Sequence, residues 1–318
     1  MDFSVIGCGR WGTFIAWYLH SLGYQGALYG RAGSLHLQRL VQTRTNGMVT
    51  FDEGVEFTSD LSGALAAELI CISVASQALR SVMAQVRALG PVGKTFVLCM
   101  KGIEVESGLR LSQIAKEAVG AHNDVAVWLG PGHVQEFARG IPNCMVIDAE
   151  KEEVKSRLVA ALSGGLIRFY YGTDLIGSEI GAAAKNVIGI AAGMLDGFGL
   201  SSLKGALMAR GTREIARLIR SLGGSELSAY GLCHLGDYEA TVFSPYSHNR
   251  RFGEAFVKGE AYDELAEGYY TAAALMGLSQ RKEVELPICR AVYQVLYEQA
   301  EPRETLDGLF LRSIKREF

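Results

Sequence analysis

The chain lacks most features that would assign a protein at first glance. Its six cysteines, at 8, 71, 99, 144, 233 and 289, include no CxxC pair. That spacing excludes a zinc-ribbon pattern and a small disulfide scaffold, and it suits a reducing compartment. An excess of cations is missing too: 31 Lys and Arg stand against 34 Asp and Glu, a net charge of −3. This argues against nucleic acid as a partner. No basic start with a cleavage site precedes the first strand, so no signal peptide is expected. The most apolar window, around residues 180–200, carries Glu179, Lys185 and Asp196 and is not expected to span a membrane. No histidine has metal-ligand spacing to other ligands, so no metal site is expected. With 49% hydrophobic and 20% charged residues over 318 positions, the chain has ordinary globular composition and room for two domains. The default is a cytoplasmic enzyme or binding protein.

Glycine, by contrast, is abundant where it costs most. Residues 173–200 read as one long helix without proline, yet glycine stands at 177, 181, 189, 193 and 197. Each interior glycine costs about 1 kcal/mol against alanine. Steps of four keep neighbours on nearly one face, drifting by about 40° each. Lys185 is the large side chain in that series. Two readings are open: a lysine set in a bare groove that a ligand approaches, or tight helix packing beside a surface lysine.

At the N-terminus an apolar run at 3–7 leads into Cys-Gly-Arg-Trp-Gly and then a helical stretch. Gly7, Gly9 and Gly12 form GxGxxG between a strand and a helix, the context a dinucleotide site requires. The first glycine permits the turn, the second admits a pyrophosphate, and the third lets helix and strand pack closely. The helix N-terminus then offers free N–H groups to the phosphates. Gly7, Gly9, Arg10, Trp11 and Gly12 are therefore expected at the cofactor. The second strand ends at Arg31, about 20 residues on, where NAD-selective sites usually carry an acid. An arginine can pair with a 2′-phosphate, so NADP is slightly favoured over NAD.

Strand-like runs follow at 69–74, 95–100, 125–130, 144–147 and 167–171, several separated by helical stretches. The alternation predicts an α/β, Rossmann-type parallel sheet wound on both sides. Lys101 follows a buried run directly, and a cation there is expected to face the ligand crevice. No clear strand appears after Tyr171. Helical patterns at 203–222, 263–285, 287–299 and 302–316 predict an all-α second domain, giving divisions of 1–172 and 173–318. The glycine-rich helix opens that second domain, so its lysine is expected at an inter-domain cleft. Residues 231–256 gather His234, Asp237, Thr241, Ser244, Ser247, His248, Asn249, Arg250 and Arg251 in a glycine- and proline-broken stretch, a candidate site.

These pieces together resemble the soluble nicotinamide-dependent glycerol-3-phosphate dehydrogenases. The likeness runs from residue 1 to about 300, through residues 5–13, 73–80, 100–108, 130–143, 179–200, 206–218, 231–244 and 248–254. The Lys-Asn-Val-Ile segment and the Gly-Leu-x-x-Leu-Gly-Asp segment are the most specific. The resemblance implies Lys185 as the catalytic lysine, Lys101 as a substrate-side and cofactor-side lysine, and Asp237 as the active-site aspartate. It implies substrate contacts at Asn186, Thr241, His248, Asn249, Arg250, Gly130 and Gly132. It implies cofactor contacts from Leu265 and Glu267, a phosphorylated small-molecule substrate, and a homodimer.

The implied reaction interconverts sn-glycerol 3-phosphate and dihydroxyacetone phosphate with NAD(P). A free lysine titrates near about 10.4, so Lys185 as a base needs surroundings that disfavour its charge. Two departures from the family bear on substrate. His248 stands where the family usually has an arginine that grips the substrate phosphate, and Gly132 replaces a hydroxyl-bearing residue. Neutral imidazole offers neither a permanent charge nor a bidentate fork. Arg250 turning inward, or a His248 protonated by the phosphate, would each restore a cation. The alternative is a same-fold reductase acting on another small keto compound.

Overall fold

A computed structural model describes residues 2–311, apart from the side chain of Phe310. The chain divides into two compact units. One comprises the chain up to Lys101 together with Leu109–Glu179; the other comprises Gly102–Gly108 and the chain from Ile180 onward. The sequence expectation of a division at 172/173 falls earlier than this one.

The first unit is built on eight strands among the described residues. They are β1 (Asp2–Ile6), β2 (Gln25–Tyr29), β3 (Val55–Thr58), β4 (Leu69–Ile72), β5 (Thr95–Leu98), β6 (Asp124–Leu129), β7 (Asn143–Ala149) and β8 (Ile167–Tyr171). Their order in the sheet is β3-β2-β1-β4-β5-β6-β7-β8. The sequence of strands therefore reverses direction across the sheet between β1 and β4, the switch point where open α/β sheets take ligands. Between the strands lie α1 (Arg10–Ser21), α2 (Leu35–Thr43), α3 (Leu61–Ala64), α4 (Leu79–Leu89), α5 (Leu111–Val119), α6 (Val134–Phe137) and α7 (Glu152–Leu162).

The sheet is parallel as expected, with one exception. β7 runs antiparallel to β6, with Ala126 opposite Ala149 and Leu129 opposite Val146. The connection over residues 130–142 holds the four-residue helix α6 and no full crossover helix, the usual companion of a parallel pairing. The full helix α7 restores a parallel pairing of β7 with β8. Strand β3 was not expected at all. Its four residues, Val-Glu-Phe-Thr, form no continuous apolar run, yet they pair in parallel with β2.

The core of this unit is aromatic. Phe14 of α1 lies 5.0 Å, centroid to centroid, from Phe137 of α6, and Trp128 of β6 lies 4.9 Å from Phe169 of β8. Such pairs contribute beyond the area they bury. At the end of this unit the buried Glu179 carboxylate accepts from the Ser112 amide at 2.8 Å and from its hydroxyl at 2.6 Å, and pairs with Arg110. Burial pushes the pKa of Glu179 up, while Arg110 works against that rise.

The second unit is helical among the described residues. It takes most of α8 (Leu175–Gly197), then α9 (Lys204–Ser221), α10 (His248–Lys258), α11 (Glu267–Lys282), α12 (Pro287–Tyr297) and α13 (Pro302–Phe310). Pro287 and Pro302 each occupy the first turn of their helices, where no N–H is lost from the ladder. Helix α13 was expected to run to 316; residues 312–316 lie outside the described residues. Among the described residues, α8 is the helix long and apolar enough to cross a membrane, and most of it is buried inside the protein.

The α8 glycines settle one of the open readings. A Cβ at Gly193 would stand 1.9 Å from the Arg250 carbonyl oxygen, and one at Gly253 would stand 2.1 Å from that of Ile190. Helices α8 and α10 therefore meet backbone to backbone through facing glycines. A Cβ at Gly189 would meet Thr241 Cγ2 at 2.7 Å, and one at Gly181 would meet His234 Cβ at 3.0 Å. At Gly181, Gly189, Gly193 and Gly197 the protein's own segments fill the face, as the packing reading has it. Lys185, however, is not the surface lysine that reading assumed, being 6% exposed.

Candidate active site

The first unit contributes the glycine turn. Gly7 has φ +115°, and a Cβ there would stand 2.1 Å from the Ser73 carbonyl oxygen. A Cβ at Gly12 would stand 1.9 Å from the carbonyl oxygen of Gly7, so α1 can start only against a bare position. Gly9 is different: nothing lies within 4 Å of a Cβ built there. That open position caps α1, and no side chain caps the helix. The residues present thus fit a dinucleotide, with first-turn amides available to a pyrophosphate. Trp11 stacks on Phe14 at 5.2 Å and meets Trp128 edge-on, so its ring belongs to the aromatic core. Arg31 is exposed just beyond β2. Ser34 caps α2, accepting from the Leu37 amide, and lies 3.3 Å from Cys8 Sγ.

Lys101 extends beyond β5 and donates from Nζ to the Gly130 carbonyl at 2.8 Å. That bond ties the end of β5 to the turn after β6. Gly132 in this turn has φ +150°, and a Cβ there would stand 2.4 Å from Phe137 Cε2. Backbone and neighbouring ring together explain why glycine replaces the hydroxyl-bearing residue expected from the resemblance.

The second unit holds the charged centre. Lys185 Nζ donates to Thr241 Oγ1 at 2.5 Å and lies 2.9 Å from Asp237 Oδ2. Asp237 sits on a 3₁₀ turn, Leu235–Asp237, followed by a π-helical turn, Glu239–Phe243, that carries Thr241. Single π turns recur at functional positions. Asn186, next along α8, accepts from Asn249 Nδ2 at 3.1 Å, and Asn249 Oδ1 accepts from the Gly268 amide at 2.8 Å. This carboxamide chain reaches the first turn of α11, where Glu267 stands; Leu265, just before it, is half exposed.

Around His248 the structure supplies partners that the sequence did not reveal. Its Nδ1 lies 2.7 Å from Glu264 Oε2 and 3.1 Å from the Tyr262 hydroxyl. Arg251 also reaches Glu264, at 3.0 Å. Arg250 is engaged inside the unit: Nη1 donates to Asp196 at 2.7 Å and to Glu254 at 3.1 Å, and Nε donates to the Ser244 carbonyl. Asp196 also holds Lys204 at 2.6 Å.

Behind the lysine lies a second feature given no role by sequence reasoning. His234 is fully buried; its Nδ1 is 2.8 Å from the Gly181 carbonyl, and the Tyr238 hydroxyl is 2.8 Å from its Nε2. Burial, helped by the Lys185 charge, pushes its pKa down to about 4. The two residues flank the 3₁₀ turn Leu235–Asp237, a geometry that spacing in the sequence does not reveal.

Known proteins resemble this chain along its full length. The sequence profile of the NAD-dependent glycerol-3-phosphate dehydrogenase N-terminus matches residues 2–155, and that of the C-terminus matches residues 174–307. A glycerol-3-phosphate dehydrogenase [NAD(P)+] from Chlorobium limicola is 35% identical, over 100% of this chain and 99% of that protein. One from Thermotoga sp. is 34% identical over the same shares. The crystal structure of glycerol-3-phosphate dehydrogenase from Coxiella burnetii superposes with a TM-score of 0.91 at 28% identity, covering 98% of this chain and 99% of that one. Both halves of the chain and its full length point one way, and the chain belongs to the NAD-dependent glycerol-3-phosphate dehydrogenase family.

Proposed function

We propose that this protein interconverts sn-glycerol 3-phosphate and dihydroxyacetone phosphate by NAD(P)-dependent hydride transfer. The observation that carries the reading is the buried contact of Lys185 with Asp237 and Thr241. A nearly sealed ammonium held by a carboxylate and a hydroxyl is equipped to move a proton at a substrate oxygen. The alternative, a reductase of another small keto compound, draws no support from the named full-length relatives.

The nicotinamide, when bound, supplies the hydride acceptor or donor. Lys185 Nζ gives the proton to the C2 oxygen in reduction and takes it in oxidation. Asp237 orients the lysine, and Thr241 fixes the direction of its N–H bonds. Lys101 is assigned to polarising the carbonyl oxygen. Gly7, Gly9, Arg10 and Gly12 are assigned to the pyrophosphate, Arg31 to a 2′-phosphate, and Leu265 before α11 and Glu267 at its start to the cofactor. Asn186, Thr241, Asn249, Gly130 and Gly132 are assigned to substrate. For its phosphate we assign His248, with Arg251 held beside it through Glu264. The same reading places the enzyme in the cytoplasm, as a homodimer supplying glycerol 3-phosphate for phospholipid synthesis.

NADPH and NADH oxidation is to be followed with dihydroxyacetone phosphate and with unphosphorylated dihydroxyacetone. Turnover restricted to the phosphate ester is expected. Equal activity on both, or none on either, overturns the assignment.

A further inference from the structure

We propose that His234 and Tyr238 are positioning residues that lock Asp237 against Lys185. The inference rests on the functional reading given to that lysine and concerns only how its partner is held.

The atoms form a closed circuit within the helical unit. The Gly181 carbonyl can only accept, so His234 Nδ1 carries the hydrogen and donates to it at 2.8 Å. Nε2 is then the acceptor, and the Tyr238 hydroxyl donates to it at 2.8 Å. Gly181 stands four residues before Lys185, so its carbonyl is also the one that takes the backbone N–H of Lys185 in an α-helix. Tyr238 follows Asp237 directly, and Asp237 Oδ2 returns to Lys185 Nζ at 2.9 Å. Each link therefore fixes the next: α8 to His234, His234 to Tyr238, Tyr238 to its neighbour, and that neighbour back to α8.

The packing is built for this approach. A Cβ at Gly181 would stand 3.0 Å from His234 Cβ, and one at Gly211 would stand 3.3 Å from the Tyr238 hydroxyl. His234 and Tyr238 are both 0% exposed, and their rings meet edge to face at 4.9 Å. Burial also keeps the imidazole neutral near pH 7, which preserves the tautomer the circuit needs. The clamp is a second link between α8 and the 3₁₀ turn carrying Asp237, beside the contact of Lys185 with Asp237 itself. A small misplacement of a reacting group can cost about 100-fold in rate.

The test uses the full-length enzyme with dihydroxyacetone phosphate and NADPH. In His234→Gln, kcat is expected to fall by about 10- to 100-fold. The KM for dihydroxyacetone phosphate and the Kd for NADPH, read by nucleotide fluorescence, should stay close to wild type. Tyr238→Phe keeps the ring and its packing, guards against a folding defect, and should move kcat alone in the same direction. The deciding arm is the Lys185→Met background. There, adding His234→Gln should cost nothing further, because the clamp acts through the lysine. The assignment is overturned if folded His234→Gln and Tyr238→Phe both keep kcat within about twofold of wild type. It is also overturned if His234→Gln lowers turnover by the same factor with and without Lys185. Absence of turnover in the wild type would instead overturn the functional reading itself.

Discussion

Lys185 Nζ stands 2.9 Å from Asp237 Oδ2, with the two side chains 8% and 1% exposed. At that burial, the pair matters as much for what its loss leaves behind as for its own attraction. Removing one partner strands a buried charge and typically costs about 3–5 kcal/mol. Lys185→Met should therefore lower both turnover, by roughly two to four orders of magnitude, and stability. Lys185→Met with Asp237→Leu should recover much of the stability but none of the turnover. Urea denaturation beside steady-state kinetics separates the two effects. A single variant as stable as wild type would show that the remaining group does not depend on its partner for its burial.

The facing glycines of α8 and α10 make a second prediction. Gly193→Ala places a methyl group 1.9 Å from a backbone oxygen, and Gly253→Ala places one at 2.1 Å. Backbone cannot turn away as a side chain can, so each should cost about 1–3 kcal/mol or more. Gly205 on α9 has nothing within 4 Å of its Cβ position. Gly205→Ala should stabilise by up to about 1 kcal/mol through helix propensity alone. Denaturant midpoints of the three variants give the test, and opposite signs are expected.

Legibility in the sequence followed how local each feature was. The turn at Gly7–Gly12 was readable because strand, turn and helix are contiguous, and its strain is local backbone geometry. Strand β3 was not, because four residues with one charge carry too little pattern and the pairing with β2 defines it. The reversal at β7 accompanies a connection without a full crossover helix, a tertiary choice that composition did not reveal. Spacing of four along α8 showed that its glycines mattered but not what they faced. The facing elements, Thr241 and Arg250, lie more than 50 residues on, at positions 241 and 250 against 189 and 193. The pairing of His248 with Glu264 is likewise a tertiary fact, reached across the end of α10.

Acid sensitivity follows from His234. Its pKa is about 4 in the folded protein against 6.5 for the ordinary group, with burial as the main cause. The unfolded chain binds a proton between those values and the folded protein does not. Stability from this residue is thus fully present above about pH 6.5 and is lost as pH falls toward 4, amounting to about 3 kcal/mol. Buried Glu179 and Glu214 act with the opposite sign, since burial raises their pKa and their contribution weakens as pH rises through the shifted value. The wild-type curve is therefore a composite, and the difference between wild type and His234→Gln isolates the histidine. That difference should shrink between pH 6.5 and pH 4, and a difference independent of pH would show that His234 is not held neutral.

Arg31, assigned above to a 2′-phosphate, is exposed just beyond β2, where an acid would select the ribose hydroxyls of NAD. A guanidinium offers a 2′-phosphate a bidentate pair, and a hydrogen bond to a charged group is worth about 1.5–3 kcal/mol. An exposed site weakens that figure through solvent screening. Arg31→Ala should therefore raise the KM for NADPH by about 10-fold and leave that for NADH nearly unchanged. The NADPH effect should also fade as ionic strength rises, because the pairing is electrostatic and open to solvent. Michaelis constants for both nucleotides at low and high salt provide the check. If Arg31→Ala affects the two nucleotides equally, the arginine does not read the 2′-phosphate.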